Sequence, residues 1–128
     1  MIVLYKKIFI LLFVISIYLP TPFAEAFSWY EQTELKITIE TDRMIYEWEY
    51  ENPDEYEYEE GNTIWRGDVA KDSFENILSF LDLAKPEISQ EVINSIEQKT
   101  GFNDINRVVI YRVDAEKNFK TWHWNRLE

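Results

Sequence analysis

The chain of 128 residues carries 24 acidic and 13 basic side chains, a net charge of −11, and no cysteine. Without cysteine there is no disulfide brace, no thiolate zinc site, no thiol nucleophile and no lipid attachment through an N-terminal cysteine. The acid excess argues against nucleic acid, whose binding draws on Lys and Arg to displace counterions, and against docking on anionic membranes. Basic proteins, cationic polymers and divalent metals stay compatible with it.

Lys6 and Lys7 precede an apolar run, Ile8 to Leu19, interrupted by Ser16. Pro20 and Pro22 end it, and Ala24-Glu25-Ala26 offers small residues at the −3 and −1 positions of a cleavage site. That order is the secretory pattern, with Phe27 as first mature residue. As an anchor the run is short: its twelve residues rise about 18 Å in a hydrocarbon layer about 30 Å thick. We expect residues 1–26 to be a cleaved signal peptide. Residues 27–128 should then form a single exported domain, secreted or held in the periplasm or wall, without stable membrane association. All five Trp, six Tyr and five Phe lie beyond Ala26, which indicates a packed core rather than a disordered acidic tail.

Leu35, Ile37 and Ile39 alternate with Lys36, Thr38 and Glu40, the period of a half-buried strand. After a turn at Thr41-Asp42-Arg43, Met44, Tyr46, Trp48 and Tyr50 alternate with Ile45, Glu47, Glu49 and Glu51. Asn52-Pro53-Asp54 is a turn cluster, and Tyr56 and Tyr58 between Glu55, Glu57 and Glu59 read as the return strand. Gly61-Asn62 ends it, and Thr63 to Arg66 adds a short strand. Phe74, Ile77, Leu78 and Leu81 fall on one face of a helix, for which Asp68 is the expected N-cap. Pro86 is expected near the start of a second helix carrying Ile88, Val92, Ile93 and Ile96. Gly101 should close that helix in the left-handed conformation, with Phe102 folding back on it. Ile105 to Val113 is apolar on both faces, Val109, Tyr111 and Val113 against Val108 and Ile110, and so belongs inside a sheet. Asp114 to Asn118 turns the chain, and Phe119 to Arg126 returns.

Strands, two helices, then strands predict an α+β fold: a mainly antiparallel sheet of about four to six strands with both helices packed on one face. The helical half resembles the YusW-like family of small exported bacterial proteins. The resemblance is carried by Gly67 and Ala70 leading into Phe74, Ile77, Leu78, Leu81 and Leu83, then Glu91-Val92-Ile93, Ile96, Phe102 and the strand from Ile105. It covers residues 34–126, including the Glu- and Tyr-rich hairpin. Asp114-Ala115-Glu116-Lys117 stands where an Asp-Gly turn is expected. The resemblance implies export and an α+β domain, and it assigns no residue a role.

Glu47, Glu49, Glu51, Asp54, Glu55, Glu57, Glu59 and Glu60 fall within fourteen residues that contain no Lys or Arg. Alternation sets Glu47, Glu49 and Glu51 opposite Glu55, Glu57 and Glu59, and opposed like charges destabilise a sheet. Water and salt, Lys120, Arg112 or Arg126 on a neighbouring strand, a divalent cation, or a basic partner would offset them. The hairpin lacks the D-x-D-x-D-G loop that wraps calcium, and a solvated acidic face would by itself keep the protein soluble. Tyr46, Trp48, Tyr50, Tyr56 and Tyr58 form a same-face ladder, either core beneath the helices or an open aromatic surface. Trp122 and Trp124 are the stronger candidates for exposure, because Lys120 and Arg126 share their face. His123, the sole histidine, would need a nucleophile and an orienting acid to act as a base, and the serines on offer, Ser73, Ser79, Ser89 and Ser95, are dispersed and without a G-x-S-x-G elbow. Arg66-Gly67-Asp68, an adhesion-type tripeptide, is accounted for by the helix start. The expectation is a non-catalytic domain without cofactor or metal, binding a protein or peptide of basic character through Trp48, Trp122, Trp124, Glu47, Glu49, Glu51, Glu57 and Glu59. The alternative is a cell-envelope module for divalent cations or glycans.

Overall fold

The computed structural model of the protein describes residues 32–127. The signal segment and its cleavage site at Ala24, Ala26 and Phe27 lie outside the described residues. Among those described, six strands and two helices follow in the order β1 (Gln32–Thr41), β2 (Ile45–Glu51), β3 (Glu55–Glu60), β4 (Thr63–Arg66), α1 (Asp68–Leu78), α2 (Gln90–Thr100), β5 (Ile105–Asp114) and β6 (Phe119–Asn125). The strands form one antiparallel sheet in the order β4-β3-β2-β1-β5-β6. This is the expected α+β architecture, with β5 inside the sheet between β1 and β6.

Parity along β1 orients the sheet. Leu35, Ile37 and Ile39 are fully buried and pair laterally with Tyr50, Trp48 and Tyr46 on β2. These residues join Tyr56, Val108, Ile110 and Trp122 in one apolar cluster with Ala70, Phe74 and Ile77 of α1 and Ile93 and Ile96 of α2. Both helices therefore cover the same face. Burying a large apolar side chain there is worth about 1.5–3 kcal/mol, which sets strand register more firmly than the backbone ladder alone.

Two buried indoles tie the layers together. Trp48 Nε1 donates to Ser73 Oγ of α1 at 2.8 Å, and Trp122 Nε1 donates to the carbonyl oxygen of Lys85, in the segment between the helices, at 2.8 Å. Rings fill the space between these anchors. Trp65, Tyr58 and Trp48 stack across three strands at 5.1 Å centroid spacings, and Phe102 lies 4.2 Å from Tyr46.

Three local expectations are corrected. Asp68 is the first residue of α1 and not its cap: Gly67, at φ 71°, precedes the helix and no side chain caps it. The positive φ favours glycine, while the Asp68 charge still sits favourably at the positive end of the helix dipole. Helix α1 ends at Leu78, and the chain tapers through three-residue bonds from Phe80 N to Ile77 O and from Leu81 N to Leu78 O, so Leu81 lies past the helix. Pro86 and Ile88 precede α2, whose N-cap is Ser89, its hydroxyl accepting from Val92 N at 3.3 Å. Ile88 and Ile93 then occupy the positions of a hydrophobic staple. Gly101 closes α2 at φ 73°, in the left-handed region as expected.

Candidate functional site

The face of the sheet away from the helices is where the acidic hairpin comes together. Register sets Glu47 opposite Glu59, Glu49 opposite Glu57 and Glu51 opposite Glu55 across β2 and β3. Residues of one parity on an antiparallel pair share a face, so all six project away from the Tyr and Trp ladder. Rows continue laterally: Glu57 pairs with Arg66 on β4, Glu49 with Lys36 on β1, and Lys36 with Tyr111 on β5.

Two cations are paired with this field among the described residues. Arg66 Nε lies 2.9 Å from Glu57 Oε2, and Lys36 Nζ 3.5 Å from Glu47 Oε2. The remaining acids feel one another. Burial, with Glu34, Glu57 and Glu47 nearby, pushes the Glu49 carboxyl above its ordinary value despite Lys36. Hydrogen bonding with Glu57, then burial, then the charges of Glu47 and Glu57, push Glu59 up as well. At the hairpin tip the field borders an open depression of about 470 Å³ lined by Glu49, Glu51, Asp54, Glu55, Tyr56, Glu57, Arg66 and Gly67.

The expected site residues therefore divide between two surfaces. Glu47, Glu49, Glu51, Glu57 and Glu59 are brought together on the open face. Trp48, Trp122 and Trp124 are on the opposite face with the core. Trp48 is 3% and Trp122 1% exposed, and Trp124 is half-buried against the cluster. The exposure expected of Trp122 is thus corrected. The charges beside it lie over its ring: Lys120 Nζ is 4.6 Å and the Arg112 guanidinium 5.3 Å from the indole centroid. A cation packed on an aromatic face is favourable in its own right, so charge next to Trp122 does not mark it as wet. Arg112 and Lys120 share the parity of the buried Leu35, on the side of the sheet away from the hairpin glutamates. Arg126 is bound to Ile105 O and Glu97.

Sequence reasoning missed the residues that share the face with the acids. Lys36 and Arg66 could have been found from parity, since Leu35 and Ile37 in the core force Lys36 outward. Val109 and Tyr111 were visible as the second apolar side of β5, but nothing in the sequence said that this side carries no helix. Tyr111 stacks on Phe119 at 5.9 Å, and Phe119 is 71% exposed.

Among the described residues no three of His, Asp or Glu converge as a metal-ligand set. No described helix is long and apolar enough to cross a membrane. Comparison with protein-family models, curated proteins and solved structures gave no match for the chain.

Proposed function

We propose that this chain is an exported, non-catalytic interaction domain that binds a protein or peptide partner of basic character on its open sheet face. The observation that carries the reading is the set of three directly opposed glutamate pairs, Glu47–Glu59, Glu49–Glu57 and Glu51–Glu55, met among the described residues by ion pairs from Lys36 and Arg66. Directly opposed like charges cost a sheet stability, and a cationic partner recovers that cost on binding. The carboxylates lie on an open, gently depressed surface and not across an enclosing cleft, which suits docking better than bond cleavage.

Export is part of the same proposal, supported by the basic, apolar and A-x-A order of residues 1–26 and by the YusW-like resemblance of residues 34–126. Two measurements test the whole. Intact mass of the exported protein should begin at Phe27. Titration with a lysine-rich peptide should show binding that weakens with salt, and the double variant Glu57→Gln, Glu59→Gln should weaken it further. Salt-independent binding, or none, would refute the reading.

A further inference from the structure

The open face has a second half. Large hydrophobic side chains standing more than a third exposed are few among the described residues, and Ile45, Ile64 and Phe119 fall on this face. On β5 and β6 it presents Val109, Tyr111 and the stacked, exposed Phe119, one strand removed from the glutamates of β2 and β3, with β1 and its Lys36 between them. No helix covers either half, since both helices belong to the cluster on the other side. An exposed apolar patch on the same face as a predominantly acidic field is the pattern of an interaction surface.

We propose that this face seats a cationic amphipathic helix lying across the strands, its basic end over the β2–β3 glutamates and its apolar end over Tyr111 and Phe119. The inference rests on the reading above that the domain takes a basic partner, and adds the partner's form. Charge complementarity requires Lys or Arg at one end. A purely cationic chain would leave Phe119 in water, and an anionic membrane would be repelled by the acids.

The helical form follows from the backbone. Strands β3, β2, β1 and β5 each have neighbours on both sides, so between the sheet's two edges, β4 and β6, the face offers no free backbone donors or acceptors to a segment crossing it. A segment lying on it must satisfy its own N–H and C=O groups, which a helix does. Adjacent strands lie about 4.8 Å apart, close to the rise of about 5.4 Å per helical turn. Successive turns thus sit over successive strands. From β3 to β6 is four such spacings, about 19 Å, or a helix of about 13 residues.

The test uses the mature exported protein and two synthetic helical peptides of identical composition. One carries lysine in its first two turns and leucine in its last two on a single face; the other mixes them evenly. A lysine–serine peptide of equal charge serves as third probe. The segregated helix should bind about tenfold tighter than the mixed one. The variant Phe119→Ser should remove that advantage while leaving the lysine–serine affinity unchanged. Phe119 is outside the core, and Tyr111→Ser supplies a second probe of the same patch. Equal affinity for segregated and mixed peptides, or indifference to Phe119→Ser, would overturn this inference while leaving lysine–serine binding, and with it the broader reading, intact. Loss of all peptide binding would overturn both. If Phe119→Ser instead converts a dimer to a monomer in sedimentation without changing peptide affinity, the patch belongs to a second copy and the inference fails.

Discussion

Trp122 donates its indole N–H to the backbone carbonyl of Lys85 at 2.8 Å, thereby joining the edge strand β6 to the segment between the two helices. The ring is almost wholly buried, with Lys120 and Arg112 over its face. It does the work a disulfide would do in a stapled exported domain: it fixes a loop to the sheet, here by packing and one satisfied donor. Trp122→Ala should cost about 3–5 kcal/mol in urea unfolding. Trp122→Phe should lose less, about 1–3 kcal/mol, chiefly through the stranded carbonyl. Near-wild-type stability of Trp122→Ala would mean the loop is held by other contacts.

The β5–β6 turn closes without the Gly that an Asp-Gly turn would supply. Asp114 Oδ1 accepts from the N–H groups of Glu116 and Asn118 at 2.9 Å, and Lys117 takes φ 68°. A non-glycine residue in the left-handed region costs about 1 kcal/mol or more, partly offset by its lower entropy in the unfolded chain. Lys117→Gly should therefore raise stability by about 0.5 kcal/mol, read from the midpoint of chemical unfolding. A fall in the midpoint would show that the Lys117 side chain contributes more than its backbone costs.

Alternation made the sheet legible: the period-two runs around Ile37, Trp48 and Tyr58 gave β1 to β3, and the turns between them carried their own signals. What alternation could not give was the depth of each face. The Tyr and Trp parity on β2 marks the core because its opposite is glutamate, but β5 is apolar on both sides, and only the tertiary fold shows that Val108 and Ile110 face the helices while Val109 and Tyr111 do not. The burial of Trp122 is hidden in the sequence for a related reason. Lys120 next to it reads as exposure in one dimension, whereas in three it is a cation lying on a buried ring. The helix starts were blurred because Gly67 and Asp68, like Ser89 and Pro86, each combine a residue able to cap with one able to begin a helix.

Arg66 lines the depression at the hairpin tip, bound to Glu57 at 2.9 Å, yet its own side chain is 70% exposed. An exposed pair of this kind is worth at most about 1 kcal/mol. Arg66→Ala should shift stability by less than that and should strengthen binding of a lysine-rich peptide, because Glu57 is left to the partner. Weaker binding would place Arg66 itself in contact with the partner.

The acid field also sets a pH dependence whose sign can be stated. Glu49 and Glu59 titrate above their ordinary value in the folded protein, from burial in the first case and hydrogen bonding with Glu57 in the second. The folded state then binds protons more tightly than the unfolded chain at these positions, so their contribution is fully present below the ordinary value of 4.5 and is lost as pH rises through the raised values. Stability should accordingly increase as pH is lowered from neutrality toward that window. Asp114 acts in the opposite sense. Its carboxylate is held below the ordinary value of 3.8, first by the Asn118 backbone N–H, so its contribution is present above that value and is lost as pH falls through the lowered one. The two effects together place the stability maximum in mildly acidic solution. Thermal unfolding followed by circular dichroism across this range should show the maximum, and the double variant Glu49→Gln, Glu59→Gln should be flatter on its neutral side. A melting temperature that rises steadily from pH 4 to 7 in the parent protein would contradict the raised titration of Glu49 and Glu59. A saturating cationic peptide should abolish the rise on acidification, because the carboxylates then gain more from staying charged than from taking up protons.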